Sequence, residues 1–163
     1  MNKTRSYSFI FDLDGVLSDW RHRLMLQGEH FHDAMISDPG IPAGVVLFNM
    51  LVTQAQIIGH AIQMGKVEGA EVPFVDIMTC RPERMRITTM QWMANTGLLS
   101  PRRLLMREDL DVRAHHIIKM EMYREYYRDK EEVLILFEDN ADTIKAFRNE
   151  GITVYQVCES PFN

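Results

Sequence analysis

Short runs of aromatic and β-branched residues alternate along the chain with longer stretches whose apolar positions recur every three or four residues. Tyr7 to Leu13 reads as a buried strand and Val72 to Met78 as a second. Leu104-Leu105-Met106, Glu132 to Phe137 and Ile152 to Val157 read as three more. Between the first two, Ala43 to Lys66 places Val46, Leu47, Met50, Leu51, Ile57, Ile58, Ala61 and Ile62 at helical spacing. Glu83 to Asn95 predicts a second helix, with Pro82 suited to its first turn and Gly97 stopping it. Val112 to Arg128 and Ala141 to Asn149 predict two further helices, with Gly151 capping the last. Asp19 to Pro42 is polar and His-rich, and it contains the breaker cluster Ser37-Asp38-Pro39-Gly40-Ile41-Pro42. There is no internal repeat, linker or low-complexity segment.

Strands alternating with helices predict an α/β fold: a doubly wound, mostly parallel, Rossmann-like sheet with a small helical insert after the first strand. The whole chain, 163 residues, is expected to form one domain, with residues 18–43 as a small cap-like insert. Right-handed crossovers put ligand chemistry outside the carboxyl ends of the strands. There the reactive side chains gather. Asp12 and Asp14 close the first strand, Thr79 and Arg81 the second, Glu138 and Asp139 the fourth.

Composition narrows the picture. Hydrophobic residues make up 46% of the chain and charged ones 25%, enough apolar material for a core without staples. The net charge of -5 is unlike the basic footprint of a non-specific nucleic-acid binder. Cys80 and Cys158 have no CxxC spacing, so a disulfide scaffold or thiolate zinc site is not expected and a reducing cytoplasm is the default. No secretory signal is read at the start, and no window is judged long and apolar enough to span a bilayer. The twelve methionines are scattered and read as adaptable core filler.

Two carboxylates at the end of a buried strand need a positive partner. Magnesium, which prefers a few carboxylates plus water and substrate phosphate, is the natural one, with Asp139 a further ligand. A carboxylate such as Asp12 can attack phosphorus and form an aspartyl-phosphate. Gly15 permits a tight turn that swings Asp14 toward the leaving group as a general acid. Thr79 can donate to a phosphoryl oxygen, and Lys119 can neutralise charge that grows in transfer.

Phe11-Asp12-Leu13-Asp14-Gly15-Val16-Leu17 resembles the first motif of haloacid dehalogenase-like (HAD) phosphatases, and Thr79, Lys119 and Glu138-Asp139 fall in order for the other three. The resemblance covers almost the whole chain. It implies a HAD-type sheet, Asp12 as nucleophile and Asp14 as acid/base that also offers its backbone carbonyl to magnesium. It also implies Asp139 as a metal ligand and Glu138 as an outer or secondary one. A narrower resemblance is to the phosphatase domain of polynucleotide kinase-phosphatases and its stand-alone relatives in bacteria and phages. His22-Arg23, Thr79-Cys80-Arg81-Pro82-Glu83-Arg84, Met106-Arg107, Asp111-Val112-Arg113 and Gly151-Ile152-Thr153-Val154-Tyr155-Gln156-Val157 carry it. It implies hydrolysis of 3′-terminal phosphates on nucleic acid, or of nucleotide phosphates, in a bacterial or phage-host cytoplasm. Cys80 stands where glycine is common, and His115-His116 replace acidic residues. Other readings are a phosphatase of another small metabolite, a phosphomutase, or a catalytically silent HAD-fold binding module.

Arg81 is suited to bind phosphate bidentately. His22 and Arg23 lie where substrate approaches, and Arg113 reads as either a substrate contact or a structural ion pair. His115 and His116 are adjacent on a helix, so at most one faces the site. Trp20, Phe31 and Trp92 are able to stack a base, although Trp92 fits a core position. Cys80 reads as a packing residue, and His30-Phe31-His32-Asp33 as a polar face rather than a zinc site. Gly59 to Val67 only superficially resembles a P-loop, and kinase activity is not expected. Neither a coiled-coil signal nor an evident patch bears on oligomeric state.

Overall fold

The computed structural model describes residues 6–21, 23, 34–130 and 132–158. Five strands form one sheet: β1 (Ser6–Phe11), β2 (Phe74–Pro82), β3 (Arg103–Arg107), β4 (Glu132–Glu138) and β5 (Thr153–Gln156). Their order is β3-β2-β1-β4-β5, and every pairing is parallel. Among the described residues, four helices connect them: α1 (Pro42–Gln63), α2 (Arg86–Asn95), α3 (His115–Tyr126) and α4 (Ala141–Asn149).

Alternation along the strands feeds two cores. Ile10, Leu134, Leu136 and Val154 meet Ile118 and Tyr123 of α3 and Phe147 of α4 on one face. Phe11, Val75 and Ile77 meet Phe48 and Val52 of α1 and Trp92 of α2 on the other. The sheet is therefore doubly wound, as the alternating pattern predicts, and strand order reverses beside β1. That reversal opens a crevice at its carboxyl end.

Some boundaries differ from the sequence reading. β2 runs on through Thr79 and Arg81, and Pro82 is its last residue rather than the first turn of a helix. Its φ of -68° and ψ of 149° are extended, a conformation the proline ring accepts as readily as the helical one. α3 begins at His115, not Val112, because the Asp111 carboxylate takes the Arg113 amide at 3.0 Å in a local turn. Among the described residues of the insert, Ala34–Ser37 forms one short 3-10 turn. The segment His30 to Asp33, with Phe31, lies outside the described residues.

Among the described residues, α1 is long and apolar enough, by length and composition, to cross a membrane. This corrects the expectation that no window is. Its polar residues, such as Asn49, Gln54 and Gln56, interrupt the apolar pattern without adding a charge. In the fold α1 is the crossover from β1 to β2, anchored through buried Gly44, Phe48 and Val52. A Cβ on Gly44 would sit 2.1 Å from the Val16 carbonyl oxygen, so only glycine lets the helix start this close to the turn after β1. Gly59 to Gln63 is the last turn of that helix, with no strand before it, as the rejection of a P-loop requires.

At the opposite end of the strands, Asp76 is fully buried and ligated by three donors. Arg102 gives it two bonds, 3.0 and 2.5 Å, and the Tyr127 hydroxyl a third at 2.8 Å. Ser8 and Glu132 bond beside them, tying β1 to β4.

Candidate active site

Asp12 is the first residue past β1, and its amide donates to the Phe137 carbonyl at 3.0 Å, fixing it beside the end of β4. One carboxylate oxygen accepts from the Leu13 amide at 2.7 Å, and the other faces Lys119 Nζ at 2.9 Å. Lys119 also donates to Glu138 at 2.6 Å. All three are buried. Burial, helped by the Glu138 charge and opposed by Lys119, pushes Asp12 up to about 7. Burial works against the Lys119 cation, but Asp12 and Glu138 outweigh it and hold its pKa above the ordinary value.

Asp12, Glu138 and Asp139 offer oxygens that all lie within 4.8 Å of one another, a donor set suited to a hard cation. Asp139 is raised to about 6, mainly by burial and then by the Asp12 charge. Glu138 is already well occupied. Besides Lys119, it accepts from the backbone amides of Asp139 and Asn140.

Asp14 lies on the other side of Asp12. Arg81 grips both its oxygens, Nε at 2.9 Å and Nη2 at 2.6 Å, and Arg23 adds a bond at 2.7 Å. Burial opposes ionisation, but Arg81 and then Arg23 prevail and hold Asp14 below the usual carboxylate range. Both arginines also reach Asp38, Arg81 at 2.8 Å and Arg23 at 2.9 Å, and Ser18 donates to the same Asp38 oxygen at 2.8 Å. The Arg81 plane lies over the Trp92 ring, 5.4 Å from its centre, and Trp92 Nε1 donates to the Asp38 carbonyl at 2.8 Å. Trp92 thus stays in the core.

These contacts revise the expected roles of the arginines. The fork of Arg81 is spent on Asp14, which leaves its buried Nη1 without a hydrogen-bond partner among the described residues. Arg23 is 1% exposed and braces Asp14 and Asp38. Arg113 is not brought into the cleft. It is exposed and held by Asp111 and Glu121, both at 2.6 Å. His22 lies outside the described residues. Thr79 is buried, and its oxygen accepts from the Arg81 amide at 3.1 Å, leaving its proton for another acceptor.

A cleft of about 240 Å³ opens over these groups, lined also by Trp20, Met35, Pro82, Arg107, His115 and Asn140. His115 is the one of the adjacent pair that faces it, and burial followed by the Lys119 charge lowers its pKa. The Cys80 thiol is pushed up to about 12 by burial, so it is no thiolate nucleophile. The sequence assigns no site role to Asp38, and Arg107 enters there only through the family resemblance. Arg107 closes β3, where the strand-end rule would have found it, and its Nε is buried without a partner among the described residues. No pattern distinguishes Asp38 within its cluster of breakers.

Gly15 has φ +90°, and a Cβ there would meet Asp139 Oδ2 at 2.2 Å. Gly15→Ala is therefore expected to cost both backbone strain, ~1 kcal/mol, and the placement of Asp139. Phosphate release should fall at least ~100-fold while circular dichroism stays native. Wild-type turnover in this variant would contradict the close packing of the two residues.

Carboxylates at the ends of β1 and β4, a lysine between them and a parallel doubly wound sheet define a phosphatase of the HAD type. The chain belongs to the polynucleotide kinase PNKP phosphatase domain family, whose model matches residues 6–162. A chain of the solved Pnkp1/Rnl/Hen1 complex has a similar fold, with TM-score 0.75 and 21% identity, covering 99% of this chain and 49% of that one. A chain of the Pnkp1/Rnl/Hen1 RNA repair complex gives TM-score 0.70 and 23% identity, over 99% and 45%. The present chain thus spans about half the length of the solved chains it matches. No curated protein matches it.

Proposed function

We propose that the chain hydrolyses phosphomonoesters with magnesium, through an aspartyl-phosphate on Asp12, at nucleic-acid 3′ ends or on nucleotides. The observation that carries this reading is Asp12 itself, a buried carboxylate held by one amide and facing Lys119 at 2.9 Å. A carboxylate oxygen of Asp12 attacks phosphorus, the bond to the ester oxygen breaks, and that oxygen takes up a proton. Water then attacks the same phosphorus, its bond to Asp12 breaks, and inorganic phosphate leaves. Lys119 and Arg81 Nη1 offset the charge on the phosphoryl oxygens, and Thr79 donates its hydroxyl proton to one of them. Asp14, ionised between two arginines, receives the proton of the attacking water; once protonated, it supplies one to the leaving group.

Asp12 and Asp139 would hold the cation, with the Asp14 backbone carbonyl, while Glu138 buttresses them from Lys119 and the two amides. Magnesium bound there offsets the acidic cluster and polarises a phosphoryl oxygen. The polynucleotide preference is supported by the family match and by the open cleft, which Trp20 lines. His22 remains a candidate substrate contact; Arg113, paired on the surface, is no longer one.

The substrate is tested by phosphate release with magnesium present or chelated. The panel comprises 3′- and 5′-phosphorylated oligonucleotides, free 3′- and 5′-nucleotides and an aryl phosphate. Metal-dependent turnover greatest on the 3′-phosphorylated oligonucleotide is expected. Turnover confined to free nucleotides or the aryl ester would discard the polynucleotide end and keep the chemistry.

Acidity gives a second test. Asp12 and Asp139 bind protons more tightly folded than unfolded, since both are raised from 3.8, to about 7 and about 6. Their contribution to stability is fullest below pH 3.8 and is lost as pH rises through about 6 to about 7. A cation must displace those protons. Magnesium is therefore expected to raise the melting temperature more at about pH 8 than at about pH 5. An equal shift at both would place the metal elsewhere.

A further inference from the structure

Among the described residues four Lys and Arg side chains line the cleft, and three of them are already matched by acids. Lys119 stands between Asp12 and Glu138, and Arg81 and Arg23 stand between Asp14 and Asp38. Arg107 differs. Its Nη1 donates to the Asp111 carbonyl at 2.9 Å, its Nε is buried without a partner, and among the described residues no carboxylate pairs with it. Three acids near it are engaged elsewhere: Arg84 holds Asp109, Arg113 holds Asp111 and Arg86 holds Glu83. A half-buried guanidinium, fixed at one end and unmatched in charge, is a receptor for an anion.

Its place in the sheet says which anion. β2 sets Thr79, Cys80 and Arg81 against Met106 of β3, and the strands return to register at Pro82 and Arg107, which both line the cleft. Asp12 follows β1 and Arg107 ends β3, two strands away, which is ~10 Å across the sheet. A phosphoryl group over Asp12 meets Lys119 and Thr79, and Arg107 is set off from it toward the sheet edge. On a nucleotide the next anion is the phosphate on the 5′ oxygen, one ribose away from the 3′ ester. His115, one helical turn before Lys119, lines the same cleft. The Arg107 charge is near enough to help lower its pKa, after burial and Lys119. An acid at that position would match Arg107; the imidazole leaves the charge open. We propose that Arg107 is a second phosphate subsite, which binds the phosphate on the 5′ side of the nucleotide whose 3′-phosphate stands over Asp12. That group is a monoester in a nucleoside 3′,5′-bisphosphate and a diester in a longer chain, and the planar fork takes two oxygens of either. With Asp12 read as the nucleophile, on which this subsite rests, the substrate carries two phosphates and is no simple ester.

The test is kcat/KM of the whole chain on a nucleoside 3′-monophosphate, the matching 3′,5′-bisphosphate and a 3′-phosphorylated dinucleotide without a 5′-phosphate. The wild type is expected to favour one or both of the last two at least ~10-fold, chiefly through KM. Which one it favours identifies the second phosphate as monoester or diester. Arg107→Gln should lose at least ~10-fold more on the favoured substrate than on the monophosphate. Arg107→Lys, which keeps the charge without the fork, should lose less but on the same substrate, and it carries the comparison if the glutamine variant does not fold. Equal losses on all three substrates, or a wild type indifferent to the second phosphate, would overturn the subsite. If none is hydrolysed, the phosphatase reading fails and binding decides the subsite. In Asp12→Asn with magnesium, calorimetry should then show the bisphosphate binding at least ~10-fold more tightly than the monophosphate, a difference that Arg107→Gln removes. No such difference, or one that survives Arg107→Gln, would overturn it.

Discussion

Asp12→Asn is expected to reduce phosphate release at least ~10⁴-fold, the scale on which removal of a covalent nucleophile acts. The fold should survive. Asparagine keeps an oxygen for the Leu13 amide, and Lys119 retains Glu138 at 2.6 Å. Burial already disfavours the Asp12 charge, as its rise to about 7 records, so the neutral side chain should leave stability within ~1 kcal/mol of wild type. Thermal melting beside the turnover assay separates the two quantities. An unfolded Asp12→Asn, or one that still turns over, would contradict the role given to this residue.

The second large effect is on stability and rate together. Arg81→Ala removes the cation that grips Asp14 with two bonds and shares Asp38. Asp38 is buried, and among the described residues Arg23 is then the cation that faces both acids. Breaking a buried pair by removing one partner costs ~3–5 kcal/mol, which for a chain of this size is a fall in melting temperature of ~6–20 °C. Activity should be lost as well, because Asp14 is no longer oriented. Arg81→Lys separates the terms. It restores the charge but not the planar fork, so most of the stability should return while turnover stays at least ~10-fold down. If Arg81→Lys were fully active, orientation of Asp14 by the fork would be excluded.

Much of this was legible in the sequence because it lies at strand ends. Asp12, Thr79, Glu138 and Asp139 could be placed once the strands were drawn, since a parallel sheet delivers all its carboxyl ends to one side. Lys119 reads as a candidate cation from its chemistry, but only the family motif singles it out from Lys130, after α3, or Lys145 of α4. The electrostatics were less accessible. Asp38 sits in a loop and becomes part of the site only because the insert folds back onto Arg23 and Arg81. The bidentate bonds of Arg81 were foreseen, but to phosphate rather than Asp14, because neighbours across the cleft cannot be read from spacing. Asp76 makes the same point in reverse: a carboxylate in a buried strand, indistinguishable by pattern from Asp12, is consumed by Arg102 and Tyr127 at the far end of the sheet. In α1, the core positions were clear from the period, but which face stays exposed depends on which helices lie alongside, and that is set by strand order.

The most direct test of the account is to trap the phosphoryl group on the protein. A substrate turned over briefly with magnesium and quenched in acid should leave one phosphoryl group on the peptide containing Asp12, released by hydroxylamine as an acyl phosphate is, and absent in Asp12→Asn. A phosphoryl group recovered on any other residue, or steady turnover with none on that peptide, would contradict Asp12 as the nucleophile.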